Sequence, residues 1–283
     1  MGGLWLQTFY ESAHVPLFGI IAVCFLLIAP RHWGNGKRFV AVMSAVIVFS
    51  VLSEVAQIST NRDASLKDLI ADWLGAAGFV ALFVAFTRRP PVPKIRARYL
   101  VLLGAVLIIW PLLPLAKVSV AYVERVQMLP KLVRFDSVFA GTFFRLQNAR
   151  LTKRENDVRG SVSAEILFRD GPWPGIQFHD LWPDWEPYAN LIMEIENPES
   201  DELSVNVRVH DLDHRRGEQR FGDRFNRKIN LTPGTQTIRI ALADIKRAPD
   251  ARQMNMAEIS GLIIFATRRE AGRRFVLHEI RLE

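Results

Sequence analysis

The sequence predicts a protein of two domains, an all-α membrane-spanning domain followed by an all-β sandwich. Four long apolar segments lie within residues 1–116, and short runs of alternating apolar and polar residues fill the chain from about residue 135 onward. The mean hydropathy of +0.11 is then the average of an apolar half and a polar half. The fold class is therefore multi-domain, with the two halves built for different solvents.

The four apolar segments are predicted to be membrane helices at 14–30, 39–59, 66–87 and 99–116. A membrane helix needs about 20 residues, which the middle two segments reach and the outer two approach. A signal peptide is the competing interpretation of the first segment. We reject it because the segment lacks a basic n-region and an A-x-A cleavage signal.

Basic residues predict the orientation of this domain. The loop after the first helix holds Arg31, Lys37 and Arg38, and the loop after the third holds five more basic residues between Arg88 and Arg98. Such loops stay in the cytoplasm. We therefore expect the second-to-third helix loop and the C-terminal domain to lie on the outer side, which for a bacterial inner-membrane protein is the periplasm.

Composition limits the partners. The net charge of +7 is explained largely by the two basic loops, which can contact anionic lipid head groups of the bilayer. No nucleic-acid-binding motif is present, so nucleic acid is not an expected partner. Cys24 is the only cysteine, which excludes intramolecular disulfides and cysteine-based metal sites, and we expect no metal and no cofactor.

A group of polar residues interrupts the second and third apolar segments. Glu54 and Gln57 lie three residues apart, and Asp68 and Asp72 lie four apart, so each pair shares one helix face. Arg62 lies between the two pairs. Because charges in a membrane are costly, this cluster is a candidate functional site at the outer surface.

The same residues carry a family resemblance. Residues 10–115 resemble the VanZ-like membrane proteins, named for a teicoplanin-resistance factor, in the order His14, Glu54, Gln57, Arg62, Asp68, Asp72, Gly75 and Gly78. Asp72 stands where that family usually has Asn. The resemblance implies a role in the bacterial cell envelope related to antibiotic resistance.

The cluster allows three interpretations. Glu54, Asp68, Asp72 and His14 are the candidate catalytic residues, since carboxylates and imidazole serve as general acids and bases. Arg62 could hold a phosphate through a bidentate contact, with Gln57 beside it. In the structural alternative, Arg62 pairs with Asp68 or Glu54 to lock the helix hairpin, and the two glycines allow close helix contact.

The C-terminal domain is predicted over 135–283, after a connector at 117–134 in which Pro130 limits any continuing helix. Leu203, Val205, Val207 and Val209 alternate with polar residues, as expected for a half-buried strand. Further strands are predicted at 143–151, 176–180, 189–195, 237–242, 259–266 and 275–282. About eight strands without a long amphipathic helix favour an antiparallel sandwich or jelly roll.

This half has its own resemblance. Its strings PGIQFHDLWPDWEPYANLIMEIEN, VNVRVHDLDH and EISGLIIFATRREAGRRFVLHEIRL are similar to the galactose-binding-like jelly rolls of carbohydrate-binding modules. The resemblance implies a jelly-roll fold and, more distantly, sugar recognition.

Aromatic residues are the candidate binding residues of this domain. They are Trp173, Trp182, Trp185 and Tyr188, together with Arg224. Flat aromatic faces can stack on sugar rings. Core packing is the competing interpretation, favoured for Trp185 and Tyr188, whereas Trp173 and Trp182 lie in Pro-rich loops.

Asp211, Asp213 and His214 form a short polar turn after the alternating strand. They could hold a cation or pair with Arg224, but a solvated turn or a strand cap is the more usual role of such a segment. We do not predict a metal site there.

Three classes of function follow. The favoured one is a non-enzymatic envelope protein whose exported sandwich recognises a glycan or a partner envelope protein. The alternative is a membrane enzyme acting on a lipid-linked envelope precursor through Glu54, Arg62, Asp68 and Asp72; whether the chain is an enzyme stays open, because no nucleophile motif is present. A transporter fits less well, since the polar cluster lies at one surface rather than at mid-membrane.

Overall fold

The computed structural model describes residues 3–58, 65–87, 93–156 and 161–283. Two units are distinguished, Met1–Ser119 and Val120–Glu283. Four helices among the described residues are long and apolar enough to cross a membrane, and the second unit contains a β-sandwich. The fold class predicted from the sequence is confirmed.

The four long helices are α1 (Gly3–Ile28), α2 (Asn35–Ile58), α3 (Leu66–Thr87) and α4 (Lys94–Met128). The third matches the predicted range, and the others are longer. α1 begins at Gly3 instead of position 14, and its first turns are fixed by a hydrogen bond from Trp5 Nε1 to Ser119 Oγ of 3.0 Å. α4 continues through most of the predicted connector and ends shortly before Pro130, which cannot extend a helix.

Glycines set how closely the helices approach. A Cβ at Gly75 of α3 would collide with the backbone of Val15 in α1, and one at Gly78 would collide with Ile108 and approach the carbonyl oxygen of Gly104 in α4. Small residues at such crossings let helix backbones come into contact. α3 therefore packs tightly against both α1 and α4.

The sandwich consists of two antiparallel sheets. The first has the order β3-β4-β11-β6-β9, with β1 also paired to β11, and the second has the order β2-β5-β10-β7-β8. The strands are β1 (Lys131–Val133), β2 (Phe144–Gln147), β3 (Ala149–Asn156), β4 (Ser161–Phe168), β5 (Gly175–His179), β6 (Asn190–Asn197), β7 (Leu203–Asp211), β8 (Phe225–Leu231), β9 (Gly234–Ala241), β10 (Ile259–Phe265) and β11 (Arg274–Leu282). Two short helices, α5 (Leu212–Arg216) and α6 (Leu242–Lys246), follow β7 and β9.

The strand predicted at 143–151 is two strands that belong to different sheets. Asn148 separates them and has a positive φ of 43°, a conformation that Asn adopts more readily than most residues. Its Nδ2 donates to the carbonyl of Pro172 at 2.7 Å. The chain turns this corner to cross from the second sheet to the first.

The core lies between the sheets and consists of the inward side chains of both. The largest wholly buried side chains include Trp185, Phe168, Phe178 and Phe275. Because alternate residues of each strand enter this core, the remaining side chains of the second sheet form one continuous outer face. That face is the setting of the second candidate site below.

Candidate functional sites

The first site lies where α1 and α3 touch. Gly75 lets α3 approach the backbone of Val15, and this contact brings the neighbouring His14 to Asp72, one turn away on α3. His14 Nδ1 lies 2.9 Å from Asp72 Oδ1. The Asp72 side chain is wholly buried, and its Oδ2 has no hydrogen-bond partner among the described residues.

Two further carboxylates join this pair. Glu54 of α2 is 4% exposed, and its Oε2 accepts a hydrogen bond of 2.8 Å from the backbone N–H of Ser65. One ligand atom from each of His14, Glu54 and Asp68 lies within 4.8 Å of the others. The structure thus brings together the four residues predicted as catalytic candidates, from three different helices.

The chemistry that this cluster permits is that of an imidazole among carboxylates. Such groups exchange protons with a substrate or hold a divalent cation. Arg62, predicted to complete the site, lies outside the described residues. Gln57 lies in the last turn of α2, and its side chain is likewise outside the described part of the chain.

An open cleft of about 410 Å³ lies beside the cluster, between α1, α3 and α4. Asp68 belongs to both the cluster and the cleft. Lys67 and Glu11, which form an ion pair of 2.7 Å, line its polar part, and Leu74 and Trp110 are among the apolar residues that line the rest. A molecule bound in the cleft would therefore contact both charged and apolar side chains.

In the sandwich, the predicted aromatic residues occupy different environments. Trp185 is wholly buried, and its Nε1 donates to the Trp182 carbonyl at 2.8 Å. Trp182 and Tyr188 are partly buried against the core. Only Trp173 among these four is mostly exposed, at 57%. A flat ring available for stacking is therefore present at Trp173, and the other three side chains serve packing.

Trp173 is held in an unusual conformation. Its φ is 53°, which bulky residues rarely adopt, and such strain is often found at functional sites. The ring stands edge-on to Phe265, with the ring centroids 5.8 Å apart and an interplanar angle of 83°. The loop that carries Trp173 is held by Gln147 and Asn148, whose side-chain amides both donate to the carbonyl of Pro172.

Phe265 belongs to the outer face of the second sheet. The register of the five strands aligns the outward side chains in rows, for example Arg145, Gln177, Ile263, Arg208 and Asn226 across all five strands. The face includes Arg145 and Gln147 on β2, Gln177 and His179 on β5, Gly261, Ile263 and Phe265 on β10, Ser204, Asn206, Arg208 and His210 on β7, and Asn226, Lys228 and Asn230 on β8. Amides and guanidinium groups thus share one surface with an aromatic pair, Trp173 and Phe265.

One end of this face is built on a chain of polar contacts. Arg252 bridges Asp211, with nitrogen-to-oxygen distances of 2.5 and 2.8 Å, and Asp223, at 2.6 and 3.1 Å. Asp211 also caps α5 by accepting from the backbone N–H of His214 at 3.0 Å. The partner of Asp211 is therefore Arg252 and not Arg224, the partner considered from the sequence.

His214 continues the chain to Arg208. Its ring is wholly buried, with Nδ1 at 3.2 Å from Asp223 Oδ2 and Nε2 at 3.1 Å from Arg208 Nη2. The guanidinium can only donate, so Nε2 accepts, and Nδ1 carries the proton that is donated to Asp223. Burial, together with the Arg208 charge, lowers the pKa of His214, which is consistent with this neutral form.

The neighbouring groups are also perturbed. Burial, followed by the nearby charge of Arg224, lowers the pKa of Arg208 to about 10. Burial and then the Arg208 charge lower the pKa of His210 to about 3. Both arginines are therefore charged and His210 is neutral at physiological pH.

The outer face was only partly predictable. The alternation in β7 indicates that Arg208 and His210 point away from the core, and Arg224 was predicted as a binding residue. Phe265 and Gln177 were missed, because their strands read as continuous apolar or mixed runs. Their position beside Trp173 and Arg208 follows from strand order, which local sequence does not encode.

No family model matches the chain, and no curated protein matches it. An exo-β-agarase structure is similar over 54% of this chain and 24% of its own length, with 15% identity and a TM-score of 0.43. A family 11 carbohydrate-binding module from Clostridium thermocellum, in complex with a β-1,3-1,4-mixed-linked tetrasaccharide, is similar over 54% of this chain and 93% of its own, with 12% identity and a TM-score of 0.41.

A third similar structure is a two-module xylanase fragment from Clostridium thermocellum complexed with xylohexaose, which matches 54% of this chain and 28% of its own, with 11% identity and a TM-score of 0.38. This chain thus spans about a quarter of the agarase and of the xylanase fragment. The resemblance of residues 10–115 to VanZ-like proteins stays a prediction.

Proposed function

We propose that this chain is a membrane-anchored glycan-recognition protein of the bacterial cell envelope. The four apolar helices hold it in the cytoplasmic membrane, and the outer face of the second sheet binds the sugar on the periplasmic side. The observation that carries the proposal is Trp173, an exposed ring in a strained conformation, fixed against Phe265 beside a row of amide and guanidinium groups.

The chemistry of that face suits a carbohydrate. Sugar rings have apolar C–H faces that pack on aromatic rings, and hydroxyl groups that need donors and acceptors nearby. Gln177 and Gln147 supply both, and they are already oriented by a mutual hydrogen bond of 2.5 Å. Because the strands fix these side chains in advance, little conformational entropy is lost on binding.

A glycan array probed with the full chain in phosphatidylcholine nanodiscs tests the proposal. Trp173→Ala should weaken binding by about tenfold or more, the loss expected for a central aromatic contact. Trp33→Ala, which removes the same side chain from the loop after α1, is the control. Unchanged binding by Trp173→Ala, or the absence of any bound glycan, would reject glycan recognition at this face.

The location of the sandwich needs a separate experiment. Cys24 is the only cysteine, so Cys24→Ser gives a background in which one new thiol reports on one position. A thiol introduced by Thr237→Cys, on an exposed residue of β9, should react with a membrane-impermeant maleimide in intact spheroplasts. Labelling only after lysis would place the sandwich in the cytoplasm and contradict the envelope role.

A second function, binding or processing of a lipid-linked envelope precursor, is favoured by the cleft beside His14, Glu54, Asp68 and Asp72. Its charged wall suits a phosphate or sugar head, and its apolar wall suits the lipid chain. Native mass spectrometry of the purified protein should detect a bound polyprenyl-linked glycan. Leu74→Trp should remove that lipid by filling the cleft, and Leu103→Trp, on an exposed position of α4, should not.

The same measurement separates binding from catalysis. If the cluster acts as acid and base, Glu54→Gln and Asp72→Asn should purify with more of the intact lipid than the wild type, since turnover stops while binding continues. Equal lipid occupancy in all three proteins would indicate binding without turnover. No lipid in the wild type would eliminate this second function.

A further inference from the structure

The outer face of the second sheet carries positive charge that no ion pair among the described residues neutralises. Its outward strand positions include Arg145, Arg208 and Lys228, and none of them is an Asp or Glu. Arg224, directly before β8, extends the same series of outward positions. Among the described residues, no carboxylate lies within ion-pair distance of Arg208 or Arg224.

The first sheet shows the opposite arrangement. On its outer face, Arg281 pairs with Glu194 and Glu279 at 3.2 and 2.8 Å, and Arg274 pairs with Glu165 at 3.4 Å. Charged residues on that face are thus largely compensated by one another. The uncompensated charge of the second sheet is therefore a property of this face and does not follow from the basic composition of the chain.

Arg208 illustrates how the charge is left free. The carboxylates of Asp211 and Asp223 are held by Arg252, and that of Asp213 lies 3.9 Å from the same guanidinium. Among the described residues, Arg208 meets His214 Nε2, a neutral acceptor, and its own buried Nε has no partner. The carboxylates thus fix the position of Arg208 through His214 without cancelling its charge.

Arg224 lies close enough to Arg208 for the two charges to disfavour each other. Its guanidinium stands over the Phe221 ring at 5.2 Å, and its buried Nε likewise has no partner among the described residues. Two like charges held side by side without a counter-ion cost free energy, and a bound anion would remove that cost. Arginine suits this role because its planar fork matches a carboxylate or sulfate.

The aromatic pair lies within reach of these cations. Phe265 is paired with Asn206 in the register of β10 and β7, and Arg208 is the next outward residue along β7. Diagonal neighbours of this kind are separated by about 7 to 8 Å between Cα atoms. An oligosaccharide stacked on Trp173 and Phe265 would therefore carry its ring substituents toward Arg208.

We propose that the glycan recognised by this face is an acidic polysaccharide, with carboxylate or sulfate groups on its rings that bind to Arg208 and Arg224. The inference rests on the proposed glycan recognition and specifies its ligand class. Stacking on the aromatic pair positions the chain of sugars, and the two arginines select for the acid.

A matched pair of ligands tests the inference. The full chain in phosphatidylcholine nanodiscs is titrated calorimetrically with a β-1,4-linked mannuronate tetramer and with the corresponding neutral mannose tetramer, which differs only in having CH₂OH in place of each carboxylate. The acidic tetramer should bind at least about tenfold more tightly. Its advantage should shrink as ionic strength rises, because exposed charge pairs are screened.

Variants assign the preference to residues. Arg224→Gln should lower the affinity for the acidic tetramer more than that for the neutral tetramer, so that the ratio of the two affinities falls by about tenfold. Arg208→Gln should do the same, with Arg208→Lys restoring part of the affinity since it keeps the charge. Arg239→Gln, which removes an exposed arginine from the other sheet, is the control.

The outcomes separate the two proposals. Equal binding of both tetramers, with loss of both in Trp173→Ala, would keep glycan recognition and overturn the acidic preference. Binding of neither tetramer, together with binding to phosphatidylglycerol vesicles that Arg208→Gln abolishes, would overturn both and identify the face as a membrane-contact surface. An acidic preference unaffected by Arg208→Gln and Arg224→Gln would also refute this site.

Discussion

His210 should make the stability of the sandwich depend on pH. The titratable groups near it are Arg208 and Asp211 on its own strand, His214 on α5 and Arg224 directly before β8, and burial is the largest cause of its lowered pKa. Gly261 of β10 lies opposite, and any Cβ there would collide with the His210 ring. The ring therefore packs directly against the β10 backbone and is largely removed from water.

The size of the effect follows from its pKa, which falls from the ordinary value of 6.5 to about 3 in the folded protein. Below pH 6.5 the unfolded chain takes up a proton at this residue and the folded chain does not. The free energy of unfolding then decreases by about 1.4 kcal/mol for each pH unit. Between about pH 7.5 and about pH 5, His210 alone should lower the stability of the sandwich by roughly 2 kcal/mol.

Urea unfolding of the full chain measures this loss. Val205→Cys in a Cys24→Ser background places a thiol in the sandwich core, so that its labelling reports unfolding of the sandwich. His210→Asn should remove the roughly 2 kcal/mol from the pH dependence. His32→Asn, in the loop after α1, should leave it unchanged, and comparison at each pH cancels the pH dependence of the thiol. A His210→Asn protein with the same pH dependence as wild type would refute the reasoning.

Three further changes test the packing. Gly75→Leu should prevent folding of the helical unit, because its side chain would enter the α1 backbone, whereas Gly36→Leu meets no neighbouring atom and should be tolerated; folded protein recovered in detergent by size-exclusion chromatography distinguishes them. Asp211→Asn should lower the free energy of unfolding of the sandwich by about 3 kcal/mol, since it removes the buried carboxylate that pairs with Arg252, and urea unfolding at neutral pH measures it. Trp185→Ala should cost about 3 to 5 kcal/mol in the same assay, because a wholly buried ring is lost from the core, and a smaller loss would show that the core collapses around the gap.

Much of the helical unit was predictable, because a membrane imposes a simple rule. Backbone polar groups must be satisfied within each span, so a long apolar segment has to be a helix. The predictions differed from the structure at the ends of the helices. The described part of α1 extends back to Gly3, and Trp5 in its first turn donates a hydrogen bond to Ser119, a contact between distant residues that no local pattern indicates.

The candidate site in the helices was predictable in membership but not in geometry. Because charges in an apolar segment are costly, the sequence indicates that Glu54, Asp68 and Asp72 belong to a functional site. The pairing of His14 with Asp72 depends on the contact between Gly75 and Val15, which joins segments that are distant in sequence. Only helix packing shows that the imidazole meets that carboxylate.

The strands of the sandwich followed from alternation where one face is polar, as in β7. β4 and β8 were not predicted, and 143–151 was read as one strand because a single residue, Asn148, makes the corner between sheets. Trp185 was read correctly as core, whereas Trp182 is partly buried despite its Pro-rich loop. Loop composition indicates a turn, but it does not say which side chains the turn returns to the core.

The sequence by itself determined that an apolar helical half precedes a strand-built polar half, because hydropathy and its period are local properties of the chain. Tertiary structure alone decided which charges are neutralised. Arg252 takes both carboxylates near β7, and Arg208 meets a neutral histidine. Which charges pair depends on the distances between side chains in space, because the Coulomb interaction falls with distance. Strand pairing and the path of the loops set those distances, and position in the sequence does not.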